Sequence, residues 1–155
     1  DQAREVLWEP NGESLLGAGA PGISRWDVAT GERTSPFTDA TPAVWMDIAD
    51  DGRILATASP DGEARLWDLG AEMPLGEPFP DPGLGRLFDD LLAPVPALSD
   101  DGRFLAMSGG DGSALWSLDP QIWRARACRL AGRNMTESEW ANVMGDVEYR
   151  LTCDP

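Results

Sequence analysis

Residues 51–68 are DGRILATASPDGEARLWD, and residues 101–119 are DGRFLAMSGGDGSALWSLD. In both stretches an Asp-Gly pair precedes a mainly apolar run, a second Asp-Gly pair follows it, and a tryptophan lies near the end. Asp-Gly pairs supply the positive φ values that tight hairpin turns require. The two stretches therefore predict the same unit twice, a set of short antiparallel strands joined by tight turns.

A third and more divergent copy begins at Val6 and is VLWEPNGESLLGAGAPGISRWDVATG, with Asn-Gly in the first turn. The interval from Trp26 to Trp67 is 41 residues, and the interval from Trp67 to Trp116 is 49 residues. The longer interval holds an insertion at residues 81–93, DPGLGRLFDDLLA. A period of about 40 to 45 residues with short strands is typical of four-stranded propeller blades.

The tryptophan endings carry a family resemblance. ARLWD at residues 64–68 and SRWD at residues 24–27 resemble the Trp-Asp ending of WD-repeat blades, and SDDGRFLA at residues 99–106 is similar to a strand entry of that family. The resemblance covers about residues 5–118. It implies that Trp26, Trp67 and Trp116 are structural blade positions, as are Asp61 and Asp111.

The copies also depart from the WD-repeat pattern. The Gly-His dipeptide is missing from all three, and Trp116 is followed by Ser117 instead of Asp. The His-Ser-Asp-Trp hydrogen-bond network of the family is therefore incomplete here. The predicted fold class is nevertheless all-β, a partial β-propeller of three WD-repeat-like four-stranded blades with a C-terminal α-helical hairpin.

Three blades are too few for a ring, because propellers have about four to eight. The chain also opens at Asp1 without an initiator Met. We therefore expect the C-terminal part of a larger propeller, with the remaining blades supplied by preceding sequence or by another copy. The predicted division is residues 1–118 for the blades and residues 119–155 for the tail.

After Asp119 the apolar period becomes helical. Asp119 and Pro120 are in the cap and first positions that start helices, and Gly132 is a stop signal. Thr136 and Glu139 then form a capping-box pattern for a second helix that ends near Gly145. The tail is therefore predicted to be a helical hairpin with an extended end, with apolar stripes on both helices.

The tail carries the second resemblance. WRARACRLAGRNMTESEW at residues 123–140, followed by YRLTCDP at residues 149–155, resembles the segment that closes many bacterial WD-repeat proteins. In those proteins the propeller is often the sensor end of a signal-transducing STAND NTPase, or follows a protease-like effector. The resemblance implies a non-catalytic interaction or sensor module in a larger bacterial signalling or defence protein of the cytoplasm. From the residues, a bridge between Cys128 and Cys153 and a reduced pair are equally open.

Composition limits the partners. The chain has 27 acidic residues, 12 arginines, and neither lysine nor histidine, so its formal net charge is −15. This charge repels phosphate backbones and anionic membrane surfaces. The acids are scattered, which indicates solubility in preference to a basic partner. No apolar run approaches the roughly 20 residues of a membrane span. The expected partner is a protein or the remaining blades, not nucleic acid, a membrane or a small molecule.

Composition also limits the chemistry. A P-loop needs lysine, and serine or cysteine nucleophiles need a base such as histidine or lysine. Two cysteines without histidine rarely close a zinc site. We therefore predict no catalytic, cofactor or metal-binding residues. A carboxylate hydrolase is the less favoured alternative, with the pairs at residues 50–51 and 100–101 as candidates, but turn chemistry accounts for both pairs. A calcium loop with Asp47 and Asp51 fails at Ala49 and Ala58.

Two sets of residues are candidate partner-binding positions. The apolar residues of the insertion either contact a partner or cover a blade edge: Leu84, Leu87, Phe88 and Leu91. The arginines of the tail bind a partner, or they form a solvated face or pair with the acidic propeller, which is favoured over a phosphate site: Arg126, Arg129 and Arg133. The seven tryptophans are expected in the blade and hairpin cores. A purely structural role, in which the tail locks the ring closed, is the other alternative.

Overall fold

The computed structural model describes residues 2–20, 22–37, 42–79, 95–109 and 112–153. The chain divides into two compact units between Trp116 and Ser117. The predicted insertion at residues 81–93, with Leu84, Leu87, Phe88 and Leu91, lies outside the described residues, as does Asp111.

The described residues of the first unit form three sheets in which neighbouring strands follow chain order. The first sheet consists of β1 (Gln2–Trp8), β2 (Ser14–Ala20), β3 (Ile23–Asp27) and β4 (Arg33–Pro36). The second consists of β5 (Trp45–Ile48), β6 (Ile54–Ala58), β7 (Ala64–Asp68) and β8 (Met73–Pro74). The third consists of β9 (Val95–Leu98), β10 (Phe104–Gly109) and β11 (Gly112–Ser117). The predicted β-rich architecture, with antiparallel strand pairs and two C-terminal helices, is confirmed.

The third sheet differs from the expectation of four strands. Among the described residues it has three, ordered β11-β10-β9. The chain enters a helix at Pro120, soon after β11 ends. Proline has no backbone N–H to donate and is pre-organised for the first helical turn, so the chain after β11 continues as helix.

The turns that open the three copies have one geometry. Gly12, Gly52 and Gly102 have φ values of 70°, 67° and 65°. Each glycine N–H donates to the carbonyl oxygen three residues earlier, at 2.8–2.9 Å. In each turn the preceding side chain accepts the N–H two residues further on, and the acceptors are Asn11, Asp51 and Asp101. The prediction that these Asn-Gly and Asp-Gly pairs form turns is confirmed.

The core of the first unit lies between sheets. One buried cluster combines residues of the first two sheets and the segments beside them: Leu16, Ala18, Ile23, Phe37, Ala43, Met46, Leu55, Trp67 and Leu69. Leu105 and Met107 of the third sheet are also fully buried, and β9 lies beside β5 and β6. Residues 55–58 of β6 are all buried, so both faces of this strand are covered.

The second unit contains α1 (Pro120–Ala131) and α2 (Glu137–Met144). Asp119 caps α1 by accepting from Gln121 N at 2.8 Å, and Gly132 ends the helix with a φ of 68°. The Thr136–Glu139 capping box starts α2. The predicted helix boundaries are therefore confirmed. No helix in the described part of the chain is long and apolar enough to cross a bilayer.

The expectation that all seven tryptophans are core residues is wrong. Trp67 and Trp140 are buried, whereas Trp8, Trp45 and Trp123 are exposed. No residue of α1 is buried, so its apolar stripe is a surface, and Val143 and Met144 of α2 are exposed as well. An apolar side chain is buried only where a neighbouring element covers its face, and helical or strand periodicity alone does not supply that neighbour.

Candidate interaction site

The first two sheets repeat one register, so equivalent positions can be compared. Trp26 pairs with Leu15 across β2 and β3, and Trp67 pairs with Leu55 across β6 and β7. Paired residues of neighbouring strands lie on one face of a sheet. We call the face that carries the tryptophan the leading face and the opposite one the trailing face.

The leading face of the second sheet is buried. Trp67 is 1% exposed, and it packs in one cluster with Leu16 and Ile23 from the trailing side of the first sheet. Its indole Nε1 donates to Thr57 Oγ1 at 3.0 Å, and its ring meets the edge of Phe37 at 5.8 Å between centroids. The first sheet is therefore the cover of this face.

The leading face of the first sheet is open. Val6 is 54% exposed, whereas Met46, at the same position of the second sheet, is 4% exposed. Val28 is 43% exposed, whereas its counterpart Leu69 is 3% exposed. Trp8, which pairs with Leu15 on this face, is 58% exposed. Positions that are core in one sheet are surface in the other, and their residues remain apolar.

The other end of the stack shows the complementary face. Leu115 precedes Trp116 and therefore points to the trailing side, because strand side chains alternate. Leu115 is 68% exposed, whereas Leu66, which precedes Trp67, is 4% exposed. The described stack thus ends in an open leading face on the first sheet and an open trailing face on the third.

An arginine ties the first two sheets together. Arg25 of β3 contacts Glu9 Oε1 at 2.5 Å, Glu72 Oε1 at 2.5 Å and the Leu69 carbonyl oxygen at 3.1 Å. Its guanidinium also lies 5.5 Å from the centroid of the Phe37 ring. Because Glu9 and Arg25 are both largely buried, the partners satisfy each other's charge inside the stack.

Glu72 reaches this arginine from a turn that normally favours glycine. Its φ is 54°, and it is the non-glycine residue with positive φ among the described residues. Glu72 lies two residues before Pro74, which pairs with Trp67. In the first sheet Trp26 pairs with Arg33, and the residue two positions before Arg33 is Gly31, with a φ of 71°. A left-handed glutamate is strained, so its contact with Arg25 offsets a local cost.

Two carboxylates link the first strands of successive sheets. Glu5 of β1 accepts from Met46 N of β5, and Asp47 of β5 accepts from Leu98 N of β9 at 2.5 Å. Burial raises the pKa of Glu5, the Met46 N–H partly lowers it, and the nearby charge of Asp47 raises it further. These acids satisfy backbone donors between sheets.

Sequence reasoning missed Arg25 and Glu5. The available signal concerns Arg25 alone, a charged residue between Ser24 and Trp26 of a strand, because Glu5 follows the polar stretch QAR and does not stand out. Their partners in the second sheet are 41 to 47 residues away along the chain. Only the packing of one sheet on another brings them together.

One member of each pair proposed for carboxylate chemistry has a role in its own turn. Asp51 accepts from Arg53 N at 2.9 Å, and Asp101 accepts from Ser99 Oγ at 2.7 Å and from Arg103 N at 3.1 Å. The Ser99 hydroxyl, more than any other group, lowers the pKa of Asp101. A general acid needs the opposite shift. The described residues include no cluster of three His, Cys, Asp or Glu side chains suited to a metal.

The three tail arginines do not share one environment. Arg126 and Arg129 are exposed on α1. Arg133, past the end of α1, forms two 2.7 Å bonds to the Glu139 carboxylate, which lowers the pKa of Glu139 to about 2. An open groove of about 350 Å³ lies there, lined by Ala131, Arg133, Met135, Glu139 and Val143.

The two cysteines are bonded. The Cys128 and Cys153 Sγ atoms are 2.02 Å apart and their Cα atoms are 5.4 Å apart. The alternatives that the residues alone left open are thereby decided in favour of the bridge. It joins α1 to the end of the described chain.

Comparison with solved structures gives a likeness at the level of the fold. No family model matches the chain. A chain of Kuenenia stuttgartiensis hydrazine synthase is similar to it, with a TM-score of 0.59 and 11% identity. The match covers 75% of this chain and 32% of that chain, so the chain spans about a third of its neighbour's length. At this identity the likeness concerns the fold alone.

Proposed function

We propose that the chain is a non-catalytic protein-interaction or sensor module, the C-terminal part of a WD-repeat propeller. The module would belong to a larger bacterial signalling or defence protein of the cytoplasm, with a STAND NTPase or a protease-like effector upstream. The observation that carries the proposal is the open leading face of the first sheet, with Val6, Trp8 and Val28. An exposed apolar face marks a surface that another protein element covers.

The blade interpretation has local support. Trp67 donates to the strand hydroxyl of Thr57, which corresponds to one link of the WD-repeat network. Asp27 and Asp68, which end the Trp-Asp pairs, cap the following turns by accepting from Thr30 N at 2.7 Å and Gly70 N at 2.9 Å. Asp61 accepts from the Ser59 hydroxyl in the turn before β7.

The partner of the open face is another sheet of the same kind. Within the chain, the cover of a leading face is the trailing face of the preceding sheet, which presents Leu16, Ala18 and Ile23. A further blade with such a trailing face fits the open positions of the first sheet. Partner recognition by the finished module then takes place on surfaces that the stacked blades leave free.

A tandem duplication tests the open face directly. A second copy of residues 2–43 is fused ahead of the chain, so that its trailing face can cover the leading face of the original first sheet. We expect Trp8 and Trp26 to lose access to a soluble fluorescence quencher. We also expect a higher free energy of unfolding, because the fusion buries apolar surface. Each Å² of buried apolar surface stabilises the folded state by about 25 cal/mol.

The matched control carries Leu16→Asp in the added copy only, which places an unpaired charge on the covering face. This control should leave the original tryptophans as accessible as in the unextended chain. Equal quenching of the tryptophans with and without an intact added copy would contradict the proposal.

The structural alternative is separated by removing the tail. If residues 119–155 only lock the blades together, their deletion from the whole protein lowers its melting temperature. If the melting temperature stays unchanged while the response to the natural trigger is lost, the purely structural role is excluded. The carboxylate hydrolase remains the weaker alternative, because Asp51 and Asp101 already accept the hydrogen bonds of their own turns.

A further inference from the structure

The tail contains an irregular segment that is tied down at a few points. Residues 146–153, here called the terminal strap, follow α2 and contain neither helix nor strand. The strap is held by the Cys128–Cys153 disulfide, by Asn134 and by the aromatic pair of Trp140 and Tyr149. These contacts all lie within the second unit.

Asn134 clamps the end of the strap with its whole amide. Its Oδ1 accepts from Thr152 N at 2.9 Å and from Cys153 N at 2.8 Å. Its Nδ2 donates to the Cys153 carbonyl oxygen at 2.9 Å. The clamp therefore holds the same residue that carries the disulfide.

The strap also covers the buried tryptophan of the tail. Trp140 Nε1 donates to the Val147 carbonyl oxygen at 2.7 Å. The Tyr149 ring meets Trp140 edge-on at 5.9 Å, and the Tyr149 hydroxyl donates to the Met135 carbonyl oxygen at 2.9 Å. Because α1 has no buried residue, Trp140 and its cover are the centre of the tail's small core.

The two helices have stabilising ends that do not involve the strap. Asp119 caps α1, and the Thr136–Glu139 capping box starts α2. Arg133 binds Glu139 through both carboxylate oxygens. By contrast, the conformational entropy lost when one residue of an irregular segment is fixed costs more free energy than a typical hydrogen bond contributes on balance. The disulfide adds a covalent tie to these noncovalent contacts.

We propose that the Cys128–Cys153 disulfide is a redox latch, and that its reduction releases the terminal strap and uncovers Trp140. The reductant is a dithiol. One of its thiolates attacks a cysteine sulfur, the S–S bond breaks, and its second thiol resolves the mixed disulfide. Two electrons and two protons pass to the protein, which leaves two cysteine thiols and an oxidised dithiol.

The placement of the bond suits this chemistry. Both cysteines are half-buried instead of fully enclosed, so a thiolate can reach a sulfur. Disulfides of cytoplasmic proteins are typically transient, catalytic or redox-sensing. The redox argument rests on the cytoplasmic location that belongs to the proposed function, whereas the contacts of the strap lie in the tail, so the latch is tested independently of the proposed interaction of the sheets.

Hydrogen exchange on the whole chain tests the latch, with dithiothreitol as the reductant. On reduction we expect the amides of Thr152 and Cys153 to exchange faster by roughly tenfold or more. Amides of α2 should keep most of their protection, and Trp140 fluorescence should shift to longer wavelength. The first unit has no cysteine, so its amides are an internal control within each sample.

A Cys128→Ser/Cys153→Ser variant is the matched control. It should show the exchange pattern of the reduced protein and no response to dithiothreitol. Unchanged protection of Thr152 and Cys153 after complete reduction would overturn the latch, because noncovalent contacts would then suffice. Simultaneous loss of hydrogen-exchange protection in both helices and in the strap would also overturn the latch. The disulfide would then stabilise the whole tail and not the strap in particular.

Discussion

The first and second sheets place the same face in two environments. Trp67 is enclosed by the first sheet and bonded to Thr57, whereas the leading face around Trp26 has Val6 and Trp8 exposed. Both faces are apolar and share one register. The difference teaches that each repeat encodes a surface to be covered, and that its position in the stack decides whether the cover is present.

The two tryptophans also rest on different residues. The position of Thr57 in the first sheet is occupied by Gly17, because Thr57 and Gly17 face Arg65 and Ser24 in the same register. A Cβ added to Gly17 would lie 2.6 Å from Cζ3 of Trp26. The first sheet thus uses close packing on a glycine where the second uses a hydrogen bond.

The largest expected effect separates the two tryptophans. Trp67→Ala should lower the free energy of unfolding by about 3–5 kcal/mol, because it leaves a cavity in the inter-sheet core. Trp26→Ala should cost clearly less, since its face lacks a covering sheet. Denaturant unfolding of both variants measures the difference. Equal losses would mean that the leading face of the first sheet is already covered.

The arginine between the sheets gives the next largest effect. Arg25→Met should lower the free energy of unfolding by about 3 kcal/mol, because it leaves the buried Glu9 carboxylate without its partner. Arg53→Met, at an exposed position beside a turn, is the control and should be nearly neutral. A small loss for Arg25→Met would show that the arginine contributes little to holding the two sheets together.

The residues beneath the tryptophans should give intermediate effects of roughly 1–3 kcal/mol. Thr57→Val leaves the Trp67 N–H buried without an acceptor, while Thr57→Ser keeps the hydroxyl and should be milder. Gly17→Ala drives a methyl group into the Trp26 ring. Thermal unfolding of the three variants tests whether the two sheets hold their tryptophans differently. An unchanged melting temperature for Gly17→Ala would contradict the close packing of Gly17 against Trp26.

The smallest effect is expected at the exposed ion pair of the tail, the counterpart of the buried pair in the stack. The pKa of Glu139 is about 2, below its ordinary value of 4.5. Its stabilisation of α2 is therefore complete above pH 4.5 and is lost as the pH falls towards 2. Helical circular dichroism of Glu139→Gln should lack this acid-dependent step. If the helical circular dichroism of the unsubstituted protein and of Glu139→Gln falls identically with pH, the loss of helix in acid does not come from Glu139.

Local chemistry made much of the fold predictable. The turns at Asn11, Asp51 and Asp101, and the helix caps at Asp119 and Thr136, depend on residues within three or four positions along the chain. A side chain that bonds its own backbone nearby is visible in sequence. The strand content and the helix boundaries were predicted for this reason.

The inter-sheet contacts could not be predicted in the same way. Glu5 and Arg25 find partners in the following sheet, and those pairings depend on how sheets stack. The exposure of Trp8 was missed because an alternating strand pattern specifies an apolar face without specifying its cover. The strap was partly visible, since Cys128 and Cys153 were singled out but their bond was left open.

The sequence by itself determined the repeated units, their turns and the two capped helices, because those features come from short-range sterics and hydrogen bonds. Only the tertiary structure decided which apolar faces are core, which carboxylates meet Arg25, and that Cys153 lies beside Cys128. Burial and pairing are properties of neighbours in space. They follow from the packing of one sheet on the next and of the strap on its helices.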